Sequence, residues 1–443
     1  MQTLLLTLFL AADPNTWWTS YNDPELNRLV EKVQSANLDL RAATQRIAES
    51  RAVAGERKSA LGPSVNVTSG AQRLRGGFSQ GIARIPTSPE AAQSGSFVSP
   101  FETGLFQGQL DMRWELDFFG TNKAGLAAAR ADTRSEEERR QDLLITLSAE
   151  AARNYLSLRG IEDRIAITRE NLATQKDLLA LTTDRARAGL DSELDVERQS
   201  VLVATTEASL AALEAERQVQ QHRLAVLSGE TTYQVQPSAP SAAQPQLPSN
   251  AATSITTEQL RRRPDVRVAE MQIAAATARL TQAKSDRYPK ITLNGLSGRQ
   301  GTALSNLSLG GGNFFSIGPQ LQLPIFNYGR IRSNIEASDA RLAQARTAFE
   351  QEILAAWEEA NNALTSFQRQ QERAAALASA EKSAARSLEL SQDLQKAGLN
   401  DFLSVLDAQR SLLDARYQRS AAQTQSLLES VNLHKALGGA WPE

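Results

Sequence analysis

Ile331–Ala397, reading IRSNIEASDARLAQARTAFEQEILAAWEEANNALTSFQRQQERAAALASAEKSAARSLELSQDLQKA, contains neither glycine nor proline and stands between Gly329 and Gly398. At the ~1.5 Å rise per residue of an α-helix this stretch is about 100 Å long, more than the diameter of an ordinary domain. Phe349, Ile353, Ala356, Ala360, Ala363 and Phe367 follow alternating spacings of four and three, a coiled-coil seam narrowed by alanine for close approach. A helix of this kind requires partner helices. Repetition supplies them: Gly120, Gly189 and Gly229 are matched by Gly329, Gly398 and Gly438, each pair 209 positions apart. The chain therefore reads as one long-helix unit used twice, over 13–236 and 254–443, joined by a linker at 237–253 that is rich in proline, serine and alanine.

Composition narrows the possible functions. The 48 lysines and arginines nearly balance 50 aspartates and glutamates, so no basic excess points to nucleic acid. The absence of cysteine excludes disulfides, thiolate metal sites and cysteine nucleophiles. The only histidines, His222 and His434, stand near the ends of expected helices, where capping or solvated roles are expected of them. No catalytic, cofactor or metal constellation emerges, and the chain does not read as an enzyme. Residues 1–12 are apolar and end in Leu-Ala-Ala, like a signal segment. No other segment approaches the ~20 apolar residues of a membrane helix, so any crossing of a membrane falls to strands.

Taken in order, Asp23-Pro24 opens a first helix, and a second runs from Asn37 to the break at Gly62-Pro63. The period then changes from helix to strand. Strands are expected at about 63–73 and 105–118, with 74–104 a loop. Leu110, Met112, Trp114, Leu116 and Phe118 alternate with Gln109, Asp111, Arg113, Glu115 and Asp117, the pattern of a half-buried soluble strand or, at this length, of a membrane strand with one apolar and one polar face. Thr121–Ala188, interrupted only by Gly125 and Gly160, is the first long helix, and it folds back at Gly189. The second half repeats the scheme, with a helix from Pro264, strands at about 289–299 and 314–326, the long helix and a last helix to Leu437. Four strands from one chain leave sheet edges unpaired, which lipid does not tolerate, so a homo-oligomer is expected to close a barrel.

Several short stretches, in this order on a duplicated scaffold, carry a family resemblance: Trp17-Trp18 with Asp23-Pro24-Glu25-Leu26-Asn27, Asn37-Leu38-Asp39-Leu40, Trp114-Glu115-Leu116-Asp117 before Gly120, Leu403 to Arg410, and Val431 to Gly439. The chain resembles the TolC-like outer-membrane factors of tripartite efflux systems, in their OprM/NodT branch. The resemblance implies a mainly α fold with membrane β: a homotrimer whose four strands per chain form a twelve-stranded outer-membrane β-barrel, continued by a long α-helical periplasmic barrel. It also implies a periplasmic adaptor and an inner-membrane pump of the resistance-nodulation-division class as partners, with outer-membrane lipid around the barrel. Many members of this branch carry an N-terminal lipid anchor on cysteine; with no cysteine in the sequence as given, such acylation is not expected. A protein-secretion duct of the same fold and a periplasmic coiled-coil adaptor are the alternative readings.

Site residues follow from the resemblance. Arg187, Gly189 and Leu190 at one hairpin tip, and Lys396, Gly398 and Leu399 at the other, are expected to dock the adaptor. Leu403, Asp407 and Arg410, spaced by four and three on one helix face, are expected to line a periplasmic gate. Glu381, on the long helix, is expected to be an ordinary solvated residue.

Overall fold

The computed structural model describes residues 16–79, 98–189, 192–232, 245, 247, 255–304, 312–397, 399 and 402–439. The signal-like segment 1–12, most of the linker 237–253, Leu190 and Gly398 lie outside them. A short turn of 3₁₀-helix, Trp17–Tyr21, precedes α1 (Pro24–Ala36) and α2 (Leu38–Ser59). Strands β1 (Ser64–Ser79) and β2 (Val98–Leu116) follow, then α3 (Thr121–Arg187) and α4 (Glu193–Leu227). The second half holds α5 (Thr257–Arg261), α6 (Pro264–Ser285), β3 (Lys290–Gly301), β4 (Gly312–Gln322), α7 (Arg330–Lys396) and α8 (Phe402–Ala436).

The duplication is kept to the residue in the long helices. Helices α3 and α7 are each 67 residues, and α4 and α8 each 35. Their ends repeat as well. Gly229 and Gly438, at φ 71° and 73°, take the left-handed conformation that ends α4 and α8. The amides that follow, Glu230 N and Gly439 N, reach back to Ala225 O and His434 O at 2.8 and 2.9 Å, the Schellman arrangement that satisfies otherwise orphaned carbonyls.

The chain divides into two compact units. One comprises residues 1–48, 134–271 and 346–443. Asp23 caps α1 by accepting from Glu25 N and Leu26 N at 2.9 and 3.2 Å, and Pro24 occupies the first helical position, where no amide is needed. The stripe Leu26, Leu29, Val30 and Val33 is thereby turned onto Leu147, Ala151, Tyr155 and Leu158 of α3. Asn37 donates to Leu227 O at 2.9 Å and caps α2 with its side-chain oxygen. The seam of α7 is a core in its own right: Ala356, Ala360, Ala363 and Phe367 are buried with Leu433, Ala436 and Leu437, and Phe349 and Ile353 pack against them.

His434 departs from expectation. It is buried and stacked on Trp17 with ring centroids 4.8 Å apart, and burial pushes its pKa down to about 3, so it serves as a neutral core aromatic and not as a cap or solvated group. His222 is exposed, as expected.

The second unit, 49–133 and 272–345, carries one antiparallel sheet in the order β1-β2-β3-β4. Directly opposed residues share a face. Val65 opposes Met112, Val67 opposes Leu110, Trp114 opposes Leu293, Leu116 opposes Ile291, and Ile291 in turn opposes Leu321. On the other face Ser64 opposes Arg113, Asn66 opposes Asp111, Glu115 opposes Thr292, and Thr292 opposes Gln320. The polar face bonds internally, with Thr68 and Gln109 donating to Asp111 at 2.6 and 2.8 Å and Asn294 to Gln320 at 2.9 Å. The apolar face is bare: Val67 is 79% and Phe315 73% exposed. An apolar surface of this extent suits hydrocarbon and not water.

Two strand boundaries differ from the sequence reading. The β1–β2 ladder continues to Ser79 opposite Val98, inside the stretch expected to be loop, because backbone pairing needs no side-chain alternation. Strand β4 stops at Gln322, short of 326, where Pro324 cannot donate to a ladder.

Candidate aperture and hairpin tips

The two hairpin tips carry the same chemistry at equivalent positions. At the first, Gly189 sits at φ 75° with its amide on Ala186 O at 2.9 Å, and Ser192 caps α4 by accepting from Asp195 N. A methyl added to Gly189 would meet nothing, so backbone conformation alone selects glycine there. Arg187 pairs with Asp184 at 3.3 Å, and Lys396 pairs with Asp393 at 3.3 Å. All four side chains are well exposed, so these pairs contribute little to stability and stand available to a partner. Leu399, 76% exposed with its amide on Leu394 O at 2.9 Å, presents a bare apolar side chain at the second tip.

Along α8, Leu403, Asp407 and Arg410 are all exposed, while Val405, Ala408 and Leu412 on the opposite side of the helix are buried. The three expected gate residues thus share a face turned away from the core of their own protomer. Within the protomer no ion pair among the described residues joins Asp407 to Arg410. Arg410 instead borders a cavity of about 470 Å³ between α3, α4 and α8, with Leu202, Leu213, Glu216 and Tyr417 among its walls.

About two turns further along α8 lies a charge network that sequence reasoning missed. Arg416 reaches Glu170 of α3 at 3.3 Å and Glu381 of α7 at 3.7 Å, and Arg419 binds Glu381 at 2.6 Å. Ser420 donates to Asp163 of α3 at 2.5 Å, and Arg164 donates to Tyr417 Oη at 3.0 Å. Glu381 is therefore a bridge between helices with a largely covered side chain, and not the solvated residue expected from its sequence setting. No spacing rule reveals such contacts, because the partners come from helices folded back on one another.

A second cluster surrounds Arg263. Burial works against its charge, yet Asp265 and Glu359, each 2.6 Å from the guanidinium, hold its pKa above the ordinary value, and it also donates to Ala436 O at 2.6 Å. Burial, and then the Asp265 charge, raises the pKa of both Asp142 and Glu352 nearby. Among the described residues no group of acids or histidines is arranged to hold a metal.

Comparison with known proteins adds three findings. The sequence model of the family described as "Outer membrane efflux protein" matches residues 29–230 and 256–439, one match to each half of the duplication. The chain is 30% identical to the pyoverdine export outer membrane protein OpmQ of Pseudomonas aeruginosa, over 97% of this chain and 88% of that protein, and 30% identical to outer membrane protein OprJ of the same organism, over 98% and 88%. It superposes on the solved outer-membrane channel OprN with a TM-score of 0.80 at 30% identity, covering 96% of this chain and 92% of that one.

Proposed function

We propose, from the premise that the chain belongs to the outer membrane efflux protein family, that it conducts small toxic compounds outward with a resistance-nodulation-division pump as the energy source and Leu403, Asp407 and Arg410 as its gate. The protein is an outer-membrane duct of a tripartite efflux system and has no enzymatic role. It has the fold of the trimeric outer-membrane channels, in which strands from each chain form the barrel and the long helices stand in the periplasm. Its partners are a periplasmic adaptor and an inner-membrane pump.

One observation carries the gate reading: Leu403, Asp407 and Arg410 are all exposed on one stripe of α8, while Val405, Ala408 and Leu412 are buried on the far side of the helix. In a threefold assembly such a face can bring three leucines and three carboxylates around an axis, an apolar constriction beside a charged ring. The exposed tips at Arg187, Gly189, Lys396 and Leu399 support adaptor docking, and the expectation for Leu190 and Gly398 follows from their places beside these residues in the sequence. Cargo choice then rests with the pump, since a duct needs no substrate pocket.

Co-expression with a candidate adaptor and pump, in cells lacking their own outer-membrane duct, tests this reading. Restored resistance is expected. It should be lost when Gly189 is changed to valine and Leu399 to aspartate, with the protein still present in the outer membrane. Full resistance in the tip variants would remove the docking assignment. Tags inserted at Ser94 and Gly189 test orientation: the first should be reachable on intact cells and the second should not.

A further inference from the structure

The turn between β4 and α7 holds a cavity of about 410 Å³ that neither the aperture nor the tips use. Pro324, Ile331 and Ile335 give it an apolar wall. Two arginines border it. Arg332 is engaged by Glu336 at 2.8 Å, whereas Arg287 is exposed and makes no hydrogen bond or ion pair among the described residues. The cavity therefore keeps one uncompensated cation.

Its surroundings narrow the ligand. Leu321, Leu323 and Ile325 carry the apolar alternation of β4 past its last paired residue, into the stretch that supplies Pro324 and Asn327 to the cavity. There Ile325, Phe326 and Tyr328 are 90%, 83% and 93% exposed. The cavity lies at the edge of the sheet where Lys290 opposes Gln322 and the strands give way to helices, which in a membrane sheet is where hydrocarbon gives way to water. A water-soluble anion would leave Ile325 and Phe326 uncovered, and a purely apolar molecule would leave Arg287 unmatched.

We propose that this cavity binds an anionic phospholipid. The phosphate lies against Arg287, the glycerol and first methylenes against Pro324, Ile331 and Ile335, and an acyl chain runs along Ile325 and Phe326 toward the apolar face of the sheet. The inference rests on the outer-membrane reading of that sheet.

Native mass spectrometry of the delipidated, detergent-purified trimer, titrated with phosphatidylglycerol, phosphatidylcholine or inorganic phosphate, tests it. Phosphatidylglycerol should bind at up to one molecule per chain and more tightly than phosphatidylcholine, and phosphate should not displace it. Arg287→Ala should weaken binding about tenfold, as expected for loss of a charge-assisted hydrogen bond. Arg287→Lys should keep most of the affinity, and Lys382→Ala, on the exposed side of α7, should leave it unchanged. Equal affinity in wild type and Arg287→Ala, equal binding of both lipids, or displacement by phosphate would overturn the proposal. So would an Arg287→Ala trimer that dissociates with its lipid content per chain unchanged, since that assigns the cavity to a contact between subunits. Insertion of the wild type into vesicles checks the membrane reading separately.

Discussion

The backbone of α3 at Gly160 lies so close to Thr424 of α8 that a methyl added to the glycine would overlap the threonine Oγ1 and stand 2.9 Å from its Cβ. The clash involves the base of the side chain, which cannot swing away, so one of the helices would have to move. Gly160→Ala should therefore lower stability by about 1–3 kcal/mol, as overpacking does, despite the better helix propensity of alanine. Thr424→Ala in the same chain should recover part of the loss. Heat denaturation of the two single variants and the double variant measures this coupling, and strict additivity would show that the contact is loose.

Leu403→Ala, Asp407→Ala and Arg410→Ala should each raise single-channel conductance in planar bilayers, while Lys382→Ala should not. A closed-state bias of a few kcal/mol, at about 1.4 kcal/mol per tenfold in population, is enough to keep an aperture shut. Because Asp407 and Arg410 are not paired within the protomer, the effect of each should depend on the assembled trimer. Unchanged conductance in all three variants, with trimers intact, would place the constriction elsewhere.

Glu381→Ala should release Arg419, leave Arg416 with Glu170 alone, and so loosen α8 from α7. The side chains are partly exposed, so the cost is about 1 kcal/mol and should shrink as salt is added. Conductance measured in low and high salt distinguishes this from a gate-face effect, because the variant should differ from wild type chiefly in low salt. A variant indistinguishable from Lys382→Ala at both salt concentrations would reduce the network to surface decoration.

Asp142 faces Asp265, Lys435, Arg263 and Glu359, and burial lifts its carboxyl above the ordinary 3.8. An acid whose folded pKa is raised favours folding in its protonated form. That contribution is fully present below the unfolded pKa and is lost as pH rises through the folded one. Asp142→Asn should therefore melt above wild type at about pH 7, with the gap closing toward about pH 4. Glu352, raised by burial and by the same neighbours, should behave alike. A lower melting point for Asp142→Asn at neutral pH would mean that attraction to Lys435 and Arg263 outweighs burial.

Local chemistry was legible in the chain itself. The glycine pairs, the seam from Phe349 to Phe367 and the alternation from Gln109 to Phe118 each depend on spacing along one element, and spacing is written in the sequence. So were the exposed face of α8 and the start of α1 at Asp23-Pro24, since a helix face and a cap involve residues within a few positions of each other. Tertiary structure decided which of those faces meet. His434 is one of two histidines near helix ends, and the docking of Trp17 and Tyr21 against it made it a buried aromatic. Glu381 became a bridge because α8 brings two arginines back across α7. Gly160 looks like a tolerated helix defect until Thr424 fills the space its missing side chain leaves. In each case the partner lies tens to hundreds of residues away. Periodicity specifies which side of a helix is buried, but side-chain packing selects the particular neighbour, and that selection exists only once the chain has folded.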